Sequence, residues 1–204
     1  MGNFEQTITF GKYKDEPITW IVAKEDDDKR LLLSEKIIEF MPFMKCTDEE
    51  VDSIDIEWEN STVRSWLNNI FFFDAFTEDE QNQVLETEVE NKAYPQHQIE
   101  KAKDTKDKVF LLSIGETEDL ADEGLDLSSE NTQSAIEKQI IEWKEIFGED
   151  DEPFISDDWL LRTSDALGES YTVSFVTDGD VIPWDSDQTA HMSCGVRPAL
   201  WIKK

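Results

Sequence analysis

The only thiols and imidazoles in the chain are Cys46, Cys194, His97 and His191. Of these, only His191 and Cys194 are close in sequence, and a Cys–His pair is the smallest arrangement that supports a thiolate nucleophile. Their spacing works against it, because they lead into an expected strand, where side chains three apart point to opposite faces. Acidic surroundings would also raise the thiol pKa rather than lower it. The same four residues lack the paired short spacings of a zinc knuckle. Hard oxygen ligands are plentiful, and the best calcium candidates are Asp178 and Asp180 around Gly179, and Asp185 and Asp187 around Ser186. Asp-Gly is equally a turn signal, and no EF-hand spacing occurs. Trp184 follows Pro183 in a stretch with acids and amides but few apolar neighbours, which suits an aromatic anchor for a sugar or a protein. A core tryptophan at a strand end is the competing reading. The expected binding residues are therefore Tyr171, Trp184, Asp185, Asp187 and His191, and no catalytic residue is assigned.

The arginines are distributed unlike the lysines. There are fifteen Lys but four Arg, and three of the four sit in aromatic-rich segments: Arg64 near Trp58 and Trp66, Arg162 after Trp159, and Arg197 before Trp201. A guanidinium offers a planar fork of donors that stacks on rings and grips carboxylates, whereas an ammonium is a hydrated point charge. Arg162 or Arg197 could bind an anionic ligand. The better expectation is structural, because a buried charge must be paired and acidic partners abound. Trp58, Arg64, Trp66, Trp159, Arg162, Arg197 and Trp201 are accordingly expected to build the framework.

Around these residues the pattern predicts short strands over Glu5–Phe10, Pro17–Ala23 and Arg30–Ser34, with turns at Gly11–Lys14 and Glu25–Asp28. Val63, Trp66, Leu67 and Ile70 share one helical face after a cap at Asn60 or Ser61. Thr77 with Glu80 forms a capping box for a second short helix. Val84–Val89 and Val109–Ser113 read as strands, and the lysine-bearing stretch 101–108 reads as a surface loop. Ser134 with Glu137 is another capping box; Ile136, Ile140, Trp143 and Phe147 then follow at helical spacing, and Gly148 marks the stop. The last fifty residues are strand-like: Trp159–Arg162, Tyr171–Thr177, Asp180–Trp184 and Gly195–Ile202. The expected architecture is one α+β domain over residues 1–204, with helices flanking an antiparallel sheet that pairs strands from both chain ends.

Charge narrows the function. In 204 residues, 48 Asp+Glu face 19 Lys+Arg, a net charge of −29. The hydrophobic fraction of 38% with seven Trp and twelve Phe is too high for a disordered acidic chain. Such a charge disfavours duplex binding, which needs cations to displace counterions, and disfavours anionic membrane surfaces. It favours basic partners. No apolar run approaches a membrane span, and the first residues lack a basic, then apolar, leader pattern, so a soluble cytoplasmic chain is expected.

The ordered segments Trp58-Glu-Asn-Ser-Thr-Val-Arg-Ser-Trp-Leu-Asn68, Lys108–Ser113, Trp159-Leu-Leu-Arg162 and Gly195-Val-Arg-Pro-Ala-Leu-Trp201 resemble a large bacterial family of domains of unknown function common in gut Firmicutes. Through its tail, that family resembles C-type-lectin-like folds, the group that includes formylglycine-generating enzymes. The resemblance implies a compact α+β domain whose first and last strands pair and whose late loops carry binding. Two stretches depart from it: Thr163-Ser-Asp165 replaces a usual Ser-Pro-Gly, and the acidic segment of about 115–158 reads as a helical insertion. Cys46 and Cys194 do not match the enzymes' nearby cysteine pair. The leading expectation is a non-catalytic binding module for a protein or carbohydrate ligand, with no cofactor beyond calcium. The alternatives are a thiol- or metal-dependent enzyme of the same superfamily and an acidic nucleic-acid mimic.

Overall fold

The computed structural model describes residues 4–46, 56–164, 173–183 and 192–204. Three strands open the chain as a meander: β1 (Thr7–Tyr13), β2 (Glu16–Glu25) and β3 (Lys29–Ser34). The last strand, β11 (Ala199–Lys203), adds antiparallel to β3, so the first sheet runs β1-β2-β3-β11 and joins the two ends of the chain. β1 continues through Gly11 instead of turning there. Gly11 adopts φ +72° and makes a bulge, and the reversal falls at Lys14 and Asp15, both with positive φ. Bare glycine is required at the bulge, since a Cβ would lie 2.6 Å from the Phe76 ring.

A second sheet gathers β4 (Glu39–Pro42), β7 (Trp159–Ser164), β8 (Val173–Thr177), β9 (Asp180–Ile182) and β10 (Ser193–Val196), in the order β4-β10-β7-β8-β9. All six residues of β7 are buried. Pairing is antiparallel except where β10 meets β7 in parallel at Gly195 and Trp159. The expected strand Gly195–Ile202 is really two. Pro198 has no N–H to give a ladder, and at Arg197-Pro198 the chain crosses from the second sheet to the first. It crosses a second time between Ser34 and Glu39, from β3 to β4, and the two crossings lie side by side: Ser34 N–H donates to Pro198 O at 2.9 Å.

Helices α1 (Thr62–Trp66) and α2 (Phe72–Ala75) are joined by a π turn over Leu67–Phe71. The wider turn rotates the register, so Phe71 is buried while Ile70, expected inside, is 51% exposed. The Thr77–Glu80 capping box is formed and starts α3 (Glu78–Gln81). β5 (Thr87–Val89) and β6 (Thr105–Asp107) form a small ribbon, and α4 (Ile114–Asp122) has its own box at Ser113 and Glu116. The longest helix, α5 (Gln133–Phe147), is capped by Thr132 rather than Ser134.

Residues 109–113 are buried but join no ladder. Asn68 takes the ends of Lys108 and Val109, Phe110 bridges to Ala199, and Leu112 O accepts from Arg162 N. One apolar core, from Phe10 to Ile202, runs beneath both sheets. No helix among the described residues is long and apolar enough to cross a membrane.

Candidate functional site

Five of the seven residues expected to be framework fall in three clusters, with Trp66 and Trp201 apart from them. In the first, the buried Asp107 carboxylate accepts from Trp58 Nε1 (2.9 Å), Arg64 Nε (2.7 Å) and Thr105 Oγ1 (2.6 Å). Trp66 packs edge-on to Tyr13 and against Phe71. In the second, Arg162 donates to Leu111 O (2.8 Å), Glu90 O (2.9 Å) and Asn91 Oδ1 (3.2 Å) and pairs with Glu116. Burial works against the Glu116 charge, but Arg162 and the backbone and hydroxyl of Ser113 outweigh it and hold the carboxyl below its ordinary pKa. Trp201 is half-buried, with Lys29 Nζ 4.4 Å over its ring.

Arg197, the third, differs because no carboxylate pairs with it directly among the described residues. It is 1% exposed and stacks at 5.0 Å on Trp159. Its Nε donates to Ser34 O at 2.8 Å and its Nη1 to Leu127 O at 3.2 Å. Trp159 Nε1 shares the Leu127 carbonyl at 3.0 Å, so one loop residue fixes both. Burial pushes the guanidinium pKa down to about 10, while the charges of Asp126 and Glu35 act the other way, and Arg197 stays charged at neutral pH.

Arg197 is the floor of an open cleft of about 900 Å³ at the seam between the sheets. The walls come from the β3–β4 crossing (Glu35, Lys36), the loop Gly124–Glu130, Glu5 and Asp157. The loop folds as it does because Asp126 Oδ1 accepts from the N–H and hydroxyl of Ser128, a local turn that aspartate favours. These bonds, with Arg197 nearby, lower the Asp126 pKa. Lys36 and Glu130 pair at 2.8 Å across the rim, raising the lysine pKa and lowering that of the glutamate. Glu35 and Lys36 also line a second, smaller cavity of about 350 Å³, together with Tyr13, Glu16, Thr19, Asn131, Thr132, Ser134 and Ile136. The N-terminus of α5 faces it, but Glu16 Oε1 already accepts from Ser134 N–H there. The two spaces, which share Glu35 and Lys36 and are together termed the trough, carry hydroxyls, amides and carboxylates beside apolar side chains such as Phe4, Ile21, Ile18 and Ile38.

Of the expected binding residues, Tyr171, Trp184, Asp185, Asp187 and His191 lie outside the described residues. Asp178 and Asp180 sit exposed on the β8–β9 turn, whose Gly179 approaches Ser128 at the edge of the cleft. Among the described residues no three His, Cys, Asp or Glu side chains converge as a metal would require. Cys194 is buried within β10, and burial together with the Asp158 charge pushes its thiol pKa far up.

Sequence reasoning singled out Arg197 as a framework residue rather than as part of a cleft, and it did not name Glu35, Asp126, Ser128 or Glu130. The only local signal was Asp126-Leu-Ser128, which has the spacing of an aspartate turn. No curated protein and no solved structure matches the chain. A family model does match, over residues 27–204, and by that match the chain belongs to the family described as Domain of unknown function (DUF6273).

Proposed function

We propose that the protein is a non-catalytic binding module that receives a cationic, extended segment of a partner protein in the trough above Arg197. The observation that carries this reading is the trough itself. It is an open channel whose rim bears Glu5, Glu35, Asp126, Glu130 and Asp157, against two cations, Lys36 and Arg197. Lys36 is already neutralised by Glu130, and Arg197 is bonded from below, so the uncompensated field at the rim is negative. Hydroxyls and amides along the floor suit backbone recognition of a peptide. The inaccessible, high-pKa Cys194 favours recognition over thiol chemistry.

The same reading treats the fold as C-type-lectin-like. Its support is the sheet that joins β1–β3 to β11, with the late strands β7–β10 alongside and the binding surface at the seam. Tyr171, Trp184, Asp185, Asp187 and His191, outside the described residues, are kept as proposed contacts on their residue types alone, with carbohydrate as the other ligand class.

Titration with an oligolysine peptide, at low and at moderate salt, tests the reading. Binding is expected to weaken with salt and to drop by about tenfold in Glu35→Gln/Asp126→Asn. Equal affinity of that variant and of Asp26→Asn/Asp27→Asn, on the remote β2–β3 turn, would mean that total charge alone is responsible.

A further inference from the structure

Helix α5 carries its apolar side beyond the body of the protein. Its first half buries Ala135 and Gln139, and it packs across β4. Further along, the same side presents Trp143, Ile146 and Phe147, while Ile141 lies on the opposite side, where helical spacing puts it. Phe154 returns from the following loop to complete a cluster: the Trp143 ring is 4.3 Å from that of Phe147 and 6.5 Å from that of Phe154. The loop is clipped in place, since Ser156 N–H donates to Gln139 Oε1 at 2.9 Å and Asn131 Nδ2 donates to Ser156 O at 3.0 Å. Ile146, Phe147 and Phe154 are nevertheless 73%, 54% and 68% exposed. Trp143 Nε1 is the one buried side-chain polar atom without a hydrogen-bond partner among the described residues. Large apolar groups gathered and exposed in this way mark an interaction surface.

The surrounding charge says what covers it. Glu142, Glu145, Glu149, Asp150, Asp151 and Glu152 flank the cluster. Both lysines of the helix are already engaged, Lys138 with Glu39 and Glu142, and Lys144 with Glu149. A second copy of the chain would set this acidic rim against itself and bring together two bodies of net charge −29. A basic partner gains from both features.

We propose that the Trp143–Ile146–Phe147–Phe154 face docks the apolar side of an amphipathic, Lys/Arg-rich helix of another protein. The mode is helix against apolar face, with the acidic rim selecting the flanking cations. It is a second surface, separated from the trough by the length of α5 between Ile136 and Trp143, about 10 Å along the helix axis, and it does not depend on what the trough binds.

The test uses the full chain and two synthetic Leu/Lys peptides of about 18 residues, five helical turns. One has its leucines on a single face; the other has the same composition in scrambled order. The amphipathic peptide is expected to bind and to shift the Trp143 indole N–H resonance, with the scrambled one about tenfold weaker. Ile146→Ser/Phe154→Ser should weaken binding of the amphipathic peptide by about tenfold or more. Both positions are exposed, so the variant should keep its unfolding midpoint. Glu35→Gln/Asp126→Asn should leave this binding unchanged, which separates failure here from failure of the trough reading. Equal binding of the two peptides would overturn the proposal, as would full affinity in the Ile146/Phe154 variant. So would a concentration-dependent dimer that this variant abolishes, because the face would then be a self-interface.

Discussion

Replacing Arg162 with Met tests the claim that the aromatic-flanked arginines are framework. Methionine keeps the length and apolar stem but removes the charge and every donor. Leu111 O, Glu90 O and Asn91 Oδ1 lose the Arg162 donors, and the Glu116 carboxylate loses its cation while keeping the Ser113 N–H. Breaking a buried ion pair from one side costs about 3–5 kcal/mol. The Glu116 side chain is 39% exposed and can rehydrate, which favours the lower end, so a loss of about 3 kcal/mol is expected. Urea unfolding would show it as a lower midpoint with an unchanged slope.

The pH dependence sharpens this test. Because the folded-state pKa of Glu116 is depressed, its stabilisation is fully present above the unfolded carboxyl value of about 4 and disappears as pH falls through the lower folded value. Without Arg162 the main source of the depression is gone. The gap between wild type and Arg162→Met should therefore be widest near neutrality and narrow below about pH 4. Adding Glu116→Gln to Arg162→Met should recover part of the loss, since it removes a charge left without its cation while a glutamine oxygen can still accept from Ser113 N–H. A loss under about 1 kcal/mol, or one unchanged between neutral and acid pH, would refute the reasoning.

Other substitutions probe the local geometry. Phe71→Ala should cost about 3–5 kcal/mol and Ile70→Ala less than about 0.5 kcal/mol in chemical unfolding, an order that a regular helix would reverse. Gly195→Ala places a Cβ 2.4 Å from Asp158 O, a backbone atom that cannot swing away, so a loss of about 1–3 kcal/mol or failure to fold is expected in thermal melts. In a Cys46→Ser background, Cys194 should resist maleimide until urea unfolds the chain; stoichiometric labelling of the native protein would contradict its burial.

Sequence patterning carried the strands and helices whose hydrophobic period is local. The meander, the Thr77–Glu80 capping box and the span of α5 could all be read from neighbouring residues. Features decided by distant partners could not. The π turn at Leu67–Phe71 is invisible to a fixed 3.6-residue period, so Ile70 and Phe71 exchange places. Gly11 signals a turn locally, yet it is a bulge because Phe76 packs over it and Glu80 Oε1 accepts its N–H. Residues 109–113 have strand composition, but their hydrogen bonds go to Asn68, Ala199 and Arg162 rather than to one neighbour. The cleft is still less local. Its rim draws on Glu5, Glu35, Asp126, Glu130 and Asp157, which become neighbours only because two sheet crossings meet at Arg197. No spacing rule connects those positions.

Chemical-shift mapping of the full-length labelled chain against an oligolysine peptide bears most directly on the proposed function. The account predicts that the amides of Glu35, Lys36 and Asp126–Glu130, with the Arg197 Nε–H resonance, move first and saturate together at moderate salt. Shifts spread evenly over the acidic surface, including the Asp26–Asp28 turn, with the Arg197 signal unmoved, would contradict it.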